Sequence, residues 1–399
     1  MAFHHHTGNR ANNIDNGYKN LMNLRPYDLL NEKNSPAFYL SRPKIRAIYT
    51  IFNSVDITDD VHIKYFHEPK VQSHPLDLNE GFEKFIFRTN YTSMQLLSKV
   101  QKYVIEAKEN VLQPNIGLNT KTSSVKEQSK QNIKRKVILC QRGVLSSIMI
   151  IPYRLKASNY NNTIFYATKY CGILHMSDTS WVDKRSKNDT YHLKFMQCCF
   201  SDDPDLEPNT NEPVDQNNTE YSVFHTLLKE YDLIYSGETG GIISEHKIDD
   251  VHDLNEVNKC RFIMTKLLWS RQRGEDVLNH PKCLHWWLQA YLGNVSDICI
   301  GLKDNDGVVR SPVQVRACKD LAINRCWKPH ICVRFLYNVI KLVEETMDHV
   351  NCPYTTYEFM YDSFQRCIKF KIHLGKTEHS FLNEEYIKHC KERTSFEKE

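Results

Sequence analysis

Apolar positions along this chain fall into short runs whose spacing separates strands from helices. Residues 36–52 and 82–87 are rich in β-branched and aromatic side chains and predict strands, whereas 93–108 carries apolar residues at helical spacing. Residues 137–140, 144–153 and 163–176 are strand-like. Further on, 223–233 predicts a helix, 233–235 and 261–265 strands, 282–292 a helix and 333–347 a long amphipathic helix. Elements mixed in this order predict an α+β fold, with mixed β-sheets forming a central core and helices flanking it.

Polar stretches divide these elements. Residues 1–21, rich in Asn and His, read as a disordered tail, and 22–375 as one domain with two insertions. The first insertion, 114–136, ends in Lys134-Arg135-Lys136, a solvated loop end before it is a nuclear-import signal. The second, 202–220, is acidic and holds too little apolar surface to fold alone. Residues 376–399 read as a charged C-terminal tail.

Composition narrows the class. A 399-residue chain that is 41% hydrophobic has ample material for a buried core. No apolar run approaches a membrane span and the first residues are polar, so neither a bilayer nor secretion is indicated. Thirteen cysteines, an odd number without a Cys-x-x-Cys pair, predict reduced thiols and neither a disulfide framework nor a zinc ribbon. His4-His5-His6 is too short to predict a metal site. The net charge of +4 permits nucleic acid without requiring it.

The informative chemistry lies in Ser236-Gly237-Glu238-Thr239-Gly240 and, further on, Phe262-Ile263-Met264-Thr265-Lys266. Metal-dependent phosphodiesterases of the Glu-x-Asp … Glu-x-Lys type place two carboxylates on one strand and a third beside a lysine on the next, using the two-residue period of a strand. Here Gly240 stands at the second carboxylate and Met264 at the third. Upstream come Gln141-Arg142-Gly143, then Gly172-Ile173-Leu174-His175-Met176-Ser177, then His192-Leu193-Lys194-Phe195-Met196-Gln197; downstream comes Trp286-Trp287-Leu288-Gln289.

These motifs, in this order, resemble the decapping-and-exoribonuclease (DXO) family, which removes non-standard caps from RNA and in many members digests it from the 5′ end. The resemblance covers residues 136–345 well and 22–110 faintly, and implies a PD-(D/E)xK-nuclease-like fold. Carried over residue by residue, it assigns RNA contact to Arg142, Lys194, Lys266 and Gln289, and puts Met196, Gly240 and Met264 in place of acidic metal ligands. Of the acids only Glu238 remains. Magnesium needs a near-octahedral shell of oxygens, which one carboxylate does not complete, so the resemblance implies a pseudoenzyme with no metal or other cofactor. Met196 and Met264 read as fillers of a vacated pocket, Trp286 and Trp287 as packing. Arg142 reads equally as a phosphate contact or a structural salt bridge.

This pattern of losses is similar to the Cutoff-type branch of the family. That likeness implies a nuclear protein of the germline pathway that makes precursors of small silencing RNAs, shielding single-stranded 5′-monophosphate ends and recruited to chromatin through Rhino and Deadlock. Two other readings stay open: a protein-interaction scaffold without RNA binding, and a hydrolase whose ligands have moved to Asp202, Asp203, Glu245, Asp249 or Asp250.

Overall fold

The structure is a computed structural model and describes residues 17–22, 38–52, 56–71, 73–88, 92–107, 111, 135–154, 162–179, 186–270 and 277–395. Lys134, His4-His5-His6, most of the expected tail and the insertion up to residue 134 lie outside them. Among the described residues two sheets form, one of ten strands and one of eight. The expected α+β architecture of mixed sheets with flanking helices is what they build.

At the middle of the larger sheet the strand Tyr231–Glu238 runs parallel to Lys136–Gln141 and antiparallel to Thr219–Leu228. Both faces of this region are covered. Ile138 and Cys140 enter the largest apolar cluster with Leu233 and Tyr235, while Val137, Leu139 and Ile234 enter a second cluster on the other face. A strand buried on both faces reads as an unbroken apolar run, which is why 137–140 shows no alternation. The second cluster is roofed by the helix Ser93–Glu106 and by Phe381, Tyr386 and Cys390. Thr92 and Gln95 close a capping box that fixes where the former helix begins.

Several expectations change. Residues 144–153 form the helix Arg142–Met149 and a 3-10 turn Ile151–Tyr153, not a strand; Val144, Leu145, Ile148 and Met149 line one helical face, and a short apolar run does not distinguish the two periods. Residues 223–233 are strand and hairpin, because Thr219–Leu228 is paired on both sides, and Lys229 turns the chain at φ 53°. Around 82–87 the backbone makes a 3-10 turn and one bridge at Ile86. Residues 163–176 split into Thr163–Tyr170 and Ile173–Ser177 at Cys171 and Gly172, both at positive φ.

The ends also differ from a tail reading. Lys19–Met22 pairs with Cys367–His373 at the sheet edge, and the segment after 375 contributes the helix Glu384–Ser395, whose Tyr386 and Cys390 are fully buried. Charge dominates that helix's composition, but its few apolar residues fall on one face. The acidic stretch 202–220 is pinned by Lys64 to Asp202, by Lys247 to Asp203 and by a bridge from Ile86 to Asp215. All thirteen cysteines are free thiols. No helix among the described residues is long and apolar enough to cross a membrane.

Candidate functional site

Glu238 is the last residue of its strand in the large sheet, and Gly241 is the first of Gly241–Ile243 in the small one. Thr239-Gly240 is therefore the crossing between sheets. Gly241 pairs with Ile263 on the strand Arg261–Trp269, which brings Met264 and Lys266 alongside. Gly240 is not at positive φ; a β-carbon there would lie 3.0 Å from the Ile263 carbonyl oxygen.

Arg142 accounts for Gly237 and, with the Gln289 carbonyl oxygen, for Gly293. It begins its helix directly after Gln141, which sits opposite Ser236 in the parallel register. Its guanidinium passes over Gly237, where a β-carbon would come within 2.8 Å of Nε, and beside Gly293, where one would come within 3.1 Å of Nη1. Nη1 donates to the Glu238 carbonyl oxygen at 3.1 Å. The Ser-Gly-Glu motif thus keeps its glycine because an arginine side chain occupies the space.

More cations surround the glutamate than the sequence motifs supply. Arg88 Nη1 lies 3.7 Å from Glu238 Oε1. Lys99, 1% exposed, sits beneath with its ammonium 4.3 Å from the centre of the Tyr221 ring. Burial would raise the Glu238 carboxyl, but Arg88, Arg142, His192 and Lys266 together hold it below the usual range. Lys266 is pushed down to about 8 by burial and by Arg142, against the pull of Glu238. Burial pushes Lys99 down to about 7. His192 and His285 are lowered as well, first by burial and then by Lys266 among the neighbouring cations. Water still reaches 52% of the Glu238 side chain. That exposure decides that a ligand can reach the carboxylate and the cations around it.

The site residues read from sequence divide accordingly. Arg142, Glu238 and Lys266 converge. Gln289 lies one helical turn after His285 on Cys283–Leu292, the same face by i,i+4 spacing, and its side-chain oxygen is buried without a hydrogen-bond partner among the described residues. Lys194 does not join them: it is 4% exposed on the helix Lys187–Cys199 and donates to Gln197 Oε1 at 3.0 Å and the Thr210 carbonyl at 2.9 Å. His192 faces the site from that helix instead. Met196, one turn on, is 44% exposed rather than a filler, while Met264 does pack against the main core. Trp286 and Trp287 are buried, Trp287 stacked on Tyr291 at 4.6 Å.

Arg88, Lys99, His192 and His285 were missed. The two histidines were within reach, since each stands four residues before a residue already singled out. Arg88 and Lys99 lie in the faintly similar region and had no motif to mark them. Arg135 and Lys136 of the basic cluster pair with Asp232 and Glu344. Of the acids proposed as moved ligands, Asp202 and Asp203 are spent on surface lysines, and the described residues form no group of three ligand-type side chains around Glu238. One carboxylate among cations, a glycine and two thioethers do not fit a hard divalent ion. A cavity of about 660 Å³ opens on the other flank of Cys283–Leu292, lined by Trp287, Ala290 and Tyr291.

Comparison with known proteins gives this geometry a family. The family described as RAI1 like PD-(D/E)XK nuclease matches residues 41–387. The chain is 20% identical over 329 residues to the Drosophila melanogaster decapping and exoribonuclease protein Rai1, covering 80% of this chain and 84% of that one. It is 23% identical over 123 residues to Drosophila melanogaster Protein cutoff, 30% of each. Among solved structures, Candida albicans Rai1 in complex with pU5-Mn2+ superposes with a TM-score of 0.68 at 15% identity, covering 94% of this chain and 99% of that one.

Proposed function

Because the chain belongs to the RAI1-like PD-(D/E)XK nuclease family, we propose that it is a member that holds RNA 5′ ends and does not cut them. The observation that carries this reading is Glu238, a lone carboxylate facing Arg88, Arg142, His192 and Lys266. Cleavage in a metal-dependent phosphodiesterase needs an ion to activate water and stabilise the leaving oxygen, and no oxygen shell is available to hold one. A 5′ phosphate needs no ion here: Arg142 offers a rigid fork of donors, Lys266 a point charge, and both are already oriented. Candida albicans Rai1 binds pU5 with Mn2+; this chain binds the equivalent end with arginine and lysine in the metal's place.

A scaffold with a plugged groove fits less well, since half of the Glu238 side chain meets water. The likeness to Protein cutoff supports the finer proposal that the protein works in a nuclear complex that protects germline transcripts, with Rhino and Deadlock as recruiting partners. The deciding experiment is binding of single-stranded 5′-monophosphate RNA in chelator. Arg88, Arg142 and Lys266, each neutralising one phosphate, give a log–log salt slope of about −2, at roughly 0.7 per contact. A folded protein that binds only after manganese is added, or that shortens the RNA, overturns the reading.

A further inference from the structure

Far along the larger sheet, three segments bring Glu358, His373 and His379 together. Their ligand atoms all lie within 4.8 Å of one another. Glu358 projects from Thr356–Asp362, His373 ends Cys367–His373, and His379 lies in the turn before the last helix. His373 Nε2 meets Glu358 Oε2 at 2.8 Å, and the His373 and His379 ring centroids are 4.1 Å apart. The Tyr18 hydroxyl donates to the other carboxylate oxygen, Oε1. Glu358 and His373 are each 12% exposed and His379 is 25% exposed, so the cluster is sheltered yet reachable.

We propose that Glu358, His373 and His379 form a binding site for a divalent transition-metal ion, Zn2+ first among them. Two imidazoles and one carboxylate are a borderline donor set that suits zinc and is poor for magnesium. Ligand atoms around tetrahedral zinc, at roughly 2.0–2.2 Å from the ion, stand about 3.3 Å apart. Side-chain rotation closes the present spacing, nowhere above 4.8 Å, to that value, and the 2.8 Å contact opens slightly. Water fills the fourth position. Tyr18 holds the carboxylate from behind, the role an outer hydrogen bond plays in orienting a metal ligand.

An ion here clamps the edge strand Lys19–Met22, through Tyr18, and the segment leading to the last helix against one sheet edge. It therefore acts on stability, and it is independent of the Glu238 site. The imidazoles bind it neutral, so affinity falls in acid.

The test uses the full-length chain with His4, His5 and His6 replaced by serine, freed of metal and titrated with Zn2+ by calorimetry. One equivalent is expected, with a rise in Tm and no response to Mg2+. His379→Asn, at a turn, leaves the fold intact and lowers zinc affinity by about 100-fold or more, since even outer partners are worth 10–100-fold; Tyr18→Phe lowers it by about 10-fold. Cobalt in the site shows nitrogen and oxygen ligation without a sulfur charge-transfer band. Absence of zinc binding overturns the proposal, as does unchanged stoichiometry and affinity in a folded His373→Asn/His379→Asn protein, which assigns the zinc to cysteines.

Discussion

Glu238 and Glu358 are carboxylates of one chain, both held below the usual range against burial, yet their neighbours give them opposite chemistries. Glu238 is held down by Arg88, Arg142, His192 and Lys266; Glu358 is held down by hydrogen bonds from Tyr18 and His373 and by nearby His379. The two guanidiniums, Arg88 and Arg142, compensate the charge permanently and offer a metal no lone pair. Imidazoles compensate it only when protonated, and when neutral they offer lone pairs of their own. What decides between an anion site and a cation site is therefore the donor type around the acid and not the acid.

The sharpest way to break that contrast is to convert the first site toward the second. Met196→Glu, Gly240→Asp and Met264→Glu together are expected to create manganese binding detectable by calorimetry, while each change alone creates none, because fewer than three carboxylates leave the shell incomplete. Arg88, Arg142 and Lys266 already face the position, so the added acids pair with them and do not simply repel one another. The cost falls on Gly240→Asp, whose β-carbon lies 3.0 Å from the Ile263 oxygen, on the order of 1–2 kcal/mol. Tight manganese binding by Gly240→Asp alone would show that the site is misplaced.

Next in size is the loss of the arginine fork. Arg142→Ala is expected to weaken 5′-monophosphate RNA binding about tenfold and to flatten the salt slope by roughly 0.7. Gly237→Ala serves as its twin, since the new methyl carbon stands 2.8 Å from the arginine Nε and displaces the side chain without deleting it. Both variants losing stability with the slope unchanged would make Arg142 a structural residue.

Protonation sharpens the contrast further. Lys99 and Lys266 have folded pKa values of about 7 and about 8, below the ordinary lysine value of 10.5. Between those values and 10.5 the unfolded chain binds more protons than the folded one, so stability rises with pH across that window. RNA binding moves the other way, falling as pH passes 8 and Lys266 loses its charge. Lys99→Met, which keeps the volume and removes the buried amine, should flatten the stability profile above pH 7 and leave the binding profile above pH 8 in place. Denaturant unfolding and RNA titration at matched pH measure the two, and a stability profile unchanged by Lys99→Met would refute the assignment.

How far the sequence reached depends on what each signal encodes. The order of motifs located the crossing between the sheets, because a Ser-Gly-Glu run and a following Met-x-Lys run record local strand geometry. It misplaced 144–153 and 223–233, since a short apolar run carries no period; the first became a helix, and the second was decided by pairing with the neighbouring arm Tyr231–Glu238 and with the distant strand Lys44–Phe52. It placed Lys194 beside Glu238, where the structure puts His192, because a motif aligned as text does not say which helical face a residue occupies. Arg88 was invisible for a further reason: its approach to Glu238 is purely tertiary.

Lys194 supplies the smallest expected effect. Its ammonium fastens the helix Lys187–Cys199 to the acidic stretch by donating to the Thr210 carbonyl, while Gln197 Nε2 donates to the Glu212 carbonyl at 3.0 Å. Deleting the lysine takes the donor from two acceptors, Gln197 Oε1 and the Thr210 carbonyl, a cost of roughly 1–3 kcal/mol. Lys194→Met is therefore expected to lower Tm by a few degrees and to expose the 202–218 stretch to proteolysis, with the RNA salt slope left at about −2. Were Lys194 a phosphate contact, the slope would flatten by roughly 0.7 and proteolysis would be unchanged. The two outcomes exclude one another, and together they say whether the cationic side of the molecule ends at His192 or continues down its helix.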